Sequence, residues 1–235
     1  MTSETKFASG YSSVWREITP LSDGYWAIEN MLTRRVVEPL QNRAPKDMRG
    51  LVNELAFIGF SKLANSSTKP SSAKIIETLK AEVCVAVDYI NRVSSAENIK
   101  NEAVDAACIH ESALICERLL NFFPSGTKRI IRPQFKGCGI ISSCEGDVQV
   151  GENLYEVKAG DRSFRVSDIR QLLTYAALAY SSDSLSFSRI GLFNPRTGMA
   201  WAKSLDEVCI AISGTKANDV LPRVIEHMQS TSIYR

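Results

Sequence analysis

No stretch of this chain approaches the roughly 20 consecutive apolar residues that a bilayer-spanning helix needs. The opening Met1-Thr-Ser-Glu-Thr-Lys-Phe7 also lacks the apolar core of a signal peptide, so a soluble cytoplasmic protein is expected. Charge of one sign is missing as well. The 28 Lys and Arg face 26 Asp and Glu, and a net charge of +2 does not by itself mark a nucleic-acid binder. Any basic surface has to be local. The six cysteines, at 84, 108, 116, 138, 144 and 209, contain no Cys-x-x-Cys pair and match no zinc or iron–sulfur spacing. In a reducing compartment they read as small buried hydrophobes. No Gly-rich phosphate loop of the Walker kind is present, which removes the P-loop class of nucleotide hydrolases. Internal repeats are absent too.

What remains is an ordinary globular balance, 44% hydrophobic and 23% charged, with bulk for one principal core and a smaller helical appendage. The first 100 residues read as mostly helical. Trp26, Ile28, Met31, Leu32, Val36 and Val37 recur at helical spacing up to Pro39, and a second helix is expected from about Lys46 to Ala64. A polar loop over 65–72 separates it from a third, Ala73 to Val93, and a fourth is expected from Ala103 to Phe123, stopped by Pro124-Ser-Gly126.

From there the period changes. Short β-branched runs at 129–135, 139–142, 147–150 and 153–158 are separated by Gly-containing turns. Ser167 is a plausible N-cap for a long helix through Tyr180. Two more strands, 188–193 and 199–203, flank the turn signal Asn194-Pro-Arg-Thr-Gly198, and a helix over 218–229 follows. The order argues an α/β fold, a sheet carrying helices, with a helical region over 1–100 and a core over 101–235.

One constellation carries chemistry. In Gly146-Asp147-Val-Gln-Val-Gly-Glu-Asn-Leu-Tyr-Glu156-Val-Lys158, a tight turn at 151–153 folds Asp147 back opposite Glu156. Alternate side chains share a strand face, so Glu156 and Lys158 point the same way. Two carboxylates and an amine then converge. Such a patch can seat a hard divalent cation that polarises a phosphate and acidifies a bound water, with the lysine placing that water or offsetting charge on the phosphate. The bland alternative is a cross-strand ion pair worth about 0.2–1 kcal/mol. Glu-x-Lys occurs a second time, at Glu4 and Lys6 in a polar N-terminus, and is there set aside as meaningless.

Downstream, Gln171 and Tyr175 lie one helical turn apart, on one face. Gly146-Asp147, Glu156-Val157-Lys158 and Gln171-Leu-Leu-Thr-Tyr175 together resemble the successive G-D, (D/E)-x-K and Q-x-x-x-Y motifs of RecB-type nucleases. These form a branch of the PD-(D/E)-x-K, or restriction-endonuclease-like, superfamily. The Asn194–Gly198 hairpin is similar to one that follows in such proteins. The resemblance covers about residues 103–229. It implies a mixed central sheet flanked by helices and a deoxyribonuclease dependent on Mg²⁺ or Mn²⁺, with DNA as partner. The cutting subunit of a larger defence or DNA-processing assembly is one such role. By the match, Asp147 and Glu156 hold the metal with the Val157 carbonyl, Lys158 is the catalytic lysine, and Gln171 and Tyr175 line the site or touch nucleic acid. Gly146 stands where the superfamily's eponymous proline usually is.

The family also contributes a further acid or His from an earlier helix. A 100° projection centred on Val104 puts Glu111 about 20° from the middle of an apolar stripe, where a charge needs a metal or a partner such as Arg118. Glu111 is the first choice, and Glu54 and His110 are the alternatives. Arg162, Arg165 and Arg170 follow the motif closely enough to suit phosphate contacts. His227 is expected at the surface. The N-terminal helices are open to a protein partner, to dimerisation or to covering the cleft. A member of the same fold that binds without cutting is the competing reading.

Overall fold

A computed structural model describes residues 1–41, 43–66, 68–93, 99–125 and 128–230. Gly126 of the expected helix stop and Ser67 of the expected polar loop lie outside them.

The chain divides into two compact units. The first takes 1–37, 128–194 and 198–235, and the second takes 38–127 and 195–197. The expected boundary near residue 100 is therefore not where the contacts divide. The N-terminal helices α1 (Glu4–Gly10), α2 (Ser12–Ile18) and α3 (Ser22–Leu32) belong with the sheet, while the helix read as part of the core does not. The reason is where apolar side chains go. Phe7, Trp15, Ile18 and Trp26 bury among residues from the C-terminal half, including Leu172, Leu192 and Val224.

The sheet of the first unit has six strands in the order β1-β8-β7-β6-β5-β2. These are β1 (Arg34–Arg35), β2 (Arg129–Ile131), β5 (Val148–Val150), β6 (Asn153–Val157), β7 (Arg189–Asn194) and β8 (Met199–Ser204). Only β6 and β7 run parallel, so the sheet is mixed. Between them runs α7 (Val166–Ser181), whose residues 171–179 are all buried, so the helix is a wall of the core. Helices α8 (Leu205–Ser213) and α9 (Ala217–Ser230) complete the flanks, and β3 (Gln134–Phe135) pairs with β4 (Cys144–Glu145) apart from the main sheet.

Several local expectations change. Val36 and Val37 do not extend α3. Arg34 and Arg35 leave the helix to pair with Ala200 and Met199, and the Val36 N–H donates to the Gly198 carbonyl at 2.8 Å. The run 129–135 breaks at Arg132, whose φ is 54°, just before Pro133. Of residues 139–142, Ile141 makes isolated bridges to Thr2 and Cys138 in place of a strand. Helix α7 is capped from Arg165, not Ser167: Asp168 accepts the Arg165 N–H at 2.8 Å and the Arg165 carbonyl accepts the Asp168 N–H at 2.9 Å. Helix α8, which periodicity did not single out, opens on a capping box between Ser204 and Glu207.

The second unit is helical: α4 (Arg49–Leu63), α5 (Ser72–Val93) and α6 (Ala106–Phe122), close to expectation, with α6 starting after the Asp105 N-cap. Leu51, Leu55, Phe60, Leu79, Ile115 and Cys116 form its interior. Gly59 lets α4 and α5 approach, since a Cβ there would lie 2.5 Å from a Leu79 methyl.

Candidate active site

The β5–β6 hairpin sets the site. Gly151, at φ 55°, takes the left-handed conformation that the two-residue turn requires. The register pairs Val148 with Tyr155 and so carries Asp147 opposite Glu156. Along β6, Leu154 and Glu156 are buried on one face while Tyr155 turns to the other. Tyr155 crosses Gly191 of β7, where any Cβ would lie 2.4 Å from its ring. Glu156 is therefore aimed into the interior by the same alternation that buries Leu154.

The polar contacts converge there. Lys158 donates from Nζ to Glu156 Oε1 at 2.9 Å and to Gln171 Oε1 at 2.8 Å. Gln171 passes the chain on through Nε2 to the Tyr175 hydroxyl at 2.9 Å. Asp147 Oδ2 accepts the Val157 N–H at 2.7 Å, which ties the acid to β6. Glu156 Oε2 is buried and has no hydrogen-bond partner. The Tyr175 hydroxyl stands close enough to act as a donor toward the Glu156 carboxylate and helps hold its pKa down, without closing a geometrically sound hydrogen bond to Oε2.

Electrostatics follow from burial. Asp147 is held well above the ordinary carboxylate range by desolvation and then by the Glu156 charge, against which the Val157 N–H, Lys158 and Arg132 work incompletely. Glu156 is raised by burial, opposed chiefly by Lys158. For Lys158 burial alone would favour the neutral amine, but Glu156, Asp168 and Asp147 outweigh it and its pKa rises. Burial and the two acids push the Tyr175 hydroxyl far up, so it stays protonated.

Asp147, Glu156, Lys158, Gln171 and Tyr175 thus come together, with different availability. Tyr175 is 2% exposed and stacked on Phe135 at 5.0 Å, so it shapes the site and is not free to meet a nucleic acid. Arg162 is gripped by Asp168 through two bonds, at 2.7 and 2.8 Å. Arg170 is largely buried, its guanidinium 6.0 Å from the Trp15 ring. Of the three arginines expected to contact phosphate, Arg165 alone has an exposed side chain.

Glu111 does need a partner, as its burial required, and finds one inside the second unit. Arg196, from the β7–β8 turn, pairs with Oε1, while the Arg43 and Ala44 N–H groups donate to Oε2 at 2.6 and 2.8 Å. Arg118, the partner expected from sequence, donates instead to the Pro195 carbonyl at 2.8 Å. The Glu111 charge is thereby met without a metal. Glu54 and His110 also lie in the second unit, and His110 is exposed.

A further acid close to the site is Glu4, set aside on sequence grounds. Its charge is felt by Glu156, Tyr175 and Cys144. Helix α1 brings it there by packing on α7, with Thr5 Oγ1 accepting from Gln171 Nε2 at 3.3 Å. The available signal was the pair Phe7 and Ala8, buried residues in a segment that looked merely polar.

As a seat for a divalent cation the residues fit in part. The unpartnered Glu156 oxygen and the mutual repulsion of two buried acids both favour a cation, and both donors are hard oxygens. Among the described residues, no group of three His, Cys, Asp or Glu side chains is disposed to hold a metal. No family model matches the chain, and no curated protein matches it.

Proposed function

We propose that this protein is a metal-dependent nuclease of restriction-endonuclease-like fold that hydrolyses phosphodiester bonds, with DNA as substrate. The observation that carries the reading is the buried, unpartnered Glu156 Oε2 beside Asp147, with the Lys158 ammonium 2.9 Å from the other Glu156 oxygen. Asp147 and Glu156 would hold Mg²⁺ or Mn²⁺, which supplies Lewis acidity toward the phosphate and an acidified water. The chain's own residues do the rest. Lys158, kept charged by its carboxylate neighbours, offsets negative charge gathering on the phosphate oxygens. Gln171 fixes the direction of that ammonium, and Tyr175 fixes Gln171. Arg165 offers an exposed cation for the backbone of the nucleic acid.

One observation favours a second reading, a module of this fold that binds nucleic acid without cutting it: the lack, among the described residues, of a three-donor cage. A cleavage assay separates the two. Purified protein is incubated with linear and circular, single- and double-stranded DNA and with RNA, with and without Mg²⁺ or Mn²⁺. Metal-dependent cutting that Lys158→Ala abolishes is the expected result. Binding without cutting would leave the second reading. Undiminished cutting by the variant would overturn the site assignment.

A further inference from the structure

The charged groups around Lys158 extend one turn beyond the glutamine. On α7, Asp168, Gln171 and Tyr175 recur at three and four residues and so occupy one face, turned toward β6. Asp168 is 3% exposed, and its Oδ1 stands 3.9 Å from Lys158 Nζ. Its carboxylate is fixed by the two Arg162 bonds, one of them to the same Oδ1, and by the Arg165 N–H at 2.8 Å. A carboxylate held by three hydrogen bonds is a rigid object, and the ammonium has it as a neighbour along with Glu156 and Gln171. A helix-capping role explains the Arg165 contact but not the approach to Lys158.

We infer that Asp168 is a positioning residue for Lys158: anchored by Arg162, it sets where the ammonium sits between Glu156 Oε1 and Gln171 Oε1. The inference rests on the nuclease reading above for its kinetic consequence, though not for its structural one. Without the Asp168 charge, the lysine keeps its two hydrogen-bond acceptors and loses the third, purely electrostatic restraint. The displacement required is small. Misplacement of a catalytic group by about 1 Å can cost about 100-fold in rate.

The test uses the full chain and Asp168→Asn, whose amide oxygen can still accept the Arg165 N–H while the charge is gone. Steady-state cleavage in Mg²⁺ is expected to show kcat reduced about tenfold or more with KM unchanged. Asp168→Glu, which restores the charge, should recover part of the loss. Ile169→Val, a buried neighbour on the same helical turn, lowers the melting temperature without touching the lysine and should leave kcat alone. A kcat for Asp168→Asn equal to wild type, or one that falls only as melting temperature falls in Ile169→Val, overturns the proposal. If the wild type cuts nothing, the nuclease reading fails and this one is still decided by NMR order parameters of the Lys158 side chain. Increased mobility at the ε-carbon in Asp168→Asn supports positioning. A lysine equally ordered in both forms refutes it.

Discussion

Replacing Glu111 by glutamine removes one charge from a fully buried pair while keeping the side chain's shape. In the native protein Glu111 and Arg196 are 1% and 2% exposed, and the carboxylate takes a guanidinium on one oxygen and two backbone N–H groups on the other. The amide can present an oxygen to only one of these sets, so its NH₂ must face donors on the other side. The guanidinium also loses its counter-charge in a dry site. Breaking a buried pair from one side costs about 3–5 kcal/mol, a large share of a typical stability of about 5–15 kcal/mol. Urea unfolding at neutral pH is the suitable assay, because urea carries no charge to screen the pair. Burial would raise the Glu111 pKa, but the Ala44 N–H, Arg196 and the Arg43 N–H outweigh it and the value lies below the usual carboxylate range. Its contribution is therefore present above the unfolded value of about 4.5 and is lost as pH falls through the lower folded value. The gap between wild type and Glu111→Gln should narrow over that acid window. A difference below about 1 kcal/mol at neutral pH would refute the assignment of Glu111 to structure on this scale. So would a gap that does not change with acid, or loss of Mg²⁺ binding as the main effect of the substitution.

Asp147→Asn should weaken Mg²⁺ or Mn²⁺ binding by calorimetry and, without metal, raise the melting temperature by relieving repulsion with Glu156; identical titrations of variant and wild type would count against the ligand role. Because folding raises the proton affinity of both acids, their contribution to stability is present below the unfolded values and is lost as pH rises through the raised folded values. Mild acidification of the metal-free protein should accordingly stabilise it before the Glu111 pair titrates, as thermal melts across pH can show. Glu4→Gln should loosen divalent binding less than Asp147→Asn does, and a larger effect would make Glu4 the principal ligand. Gly198→Ala places a Cβ 1.7 Å from the Val37 carbonyl at a φ of 72°, so a loss of about 1–3 kcal/mol is expected, and a wild-type melting temperature would show the turn to be adaptable.

The hairpin and its acids were legible because the information is local. Gly151 fixes the turn, the turn fixes the register, and period-two alternation then brings Asp147, Glu156 and Lys158 together. The Gln171 and Tyr175 face was legible for the same reason at helical period. Elements whose conformation is decided at long range were not. Val36 and Val37 have helical spacing, yet the segment is claimed by β8, some 160 residues away in sequence, as the pairing of Arg34 with Ala200 requires. Glu111 was correctly marked as a charge in an apolar stripe, but its partner Arg196 lies on a turn that nothing in the helix announces. The arginine cluster failed differently. Position in a loop suggested phosphate contacts, whereas Asp168, a capping acid, claimed Arg162.

The two buried carboxylates of greatest interest are solved in opposite ways, and the contrast is what gives the site its meaning. Glu111 has both oxygens engaged by donors of its own unit, so desolvation is offset within the protein and a ligand there would have to displace existing bonds. Glu156 has one oxygen engaged and one left buried without a partner, next to a second acid whose charge makes matters worse. An unpaired buried acceptor costs about 1–3 kcal/mol, more when charged, and a fold that served stability alone could offset it with one further donor. Arg162 is close at hand in sequence and is committed instead to Asp168, whose Oδ1 stands 3.9 Å from Lys158 Nζ. Lys158 is thus the cation that meets the Glu156–Asp147 pair, through Glu156 Oε1, and it offsets the burial of the two acids only in part.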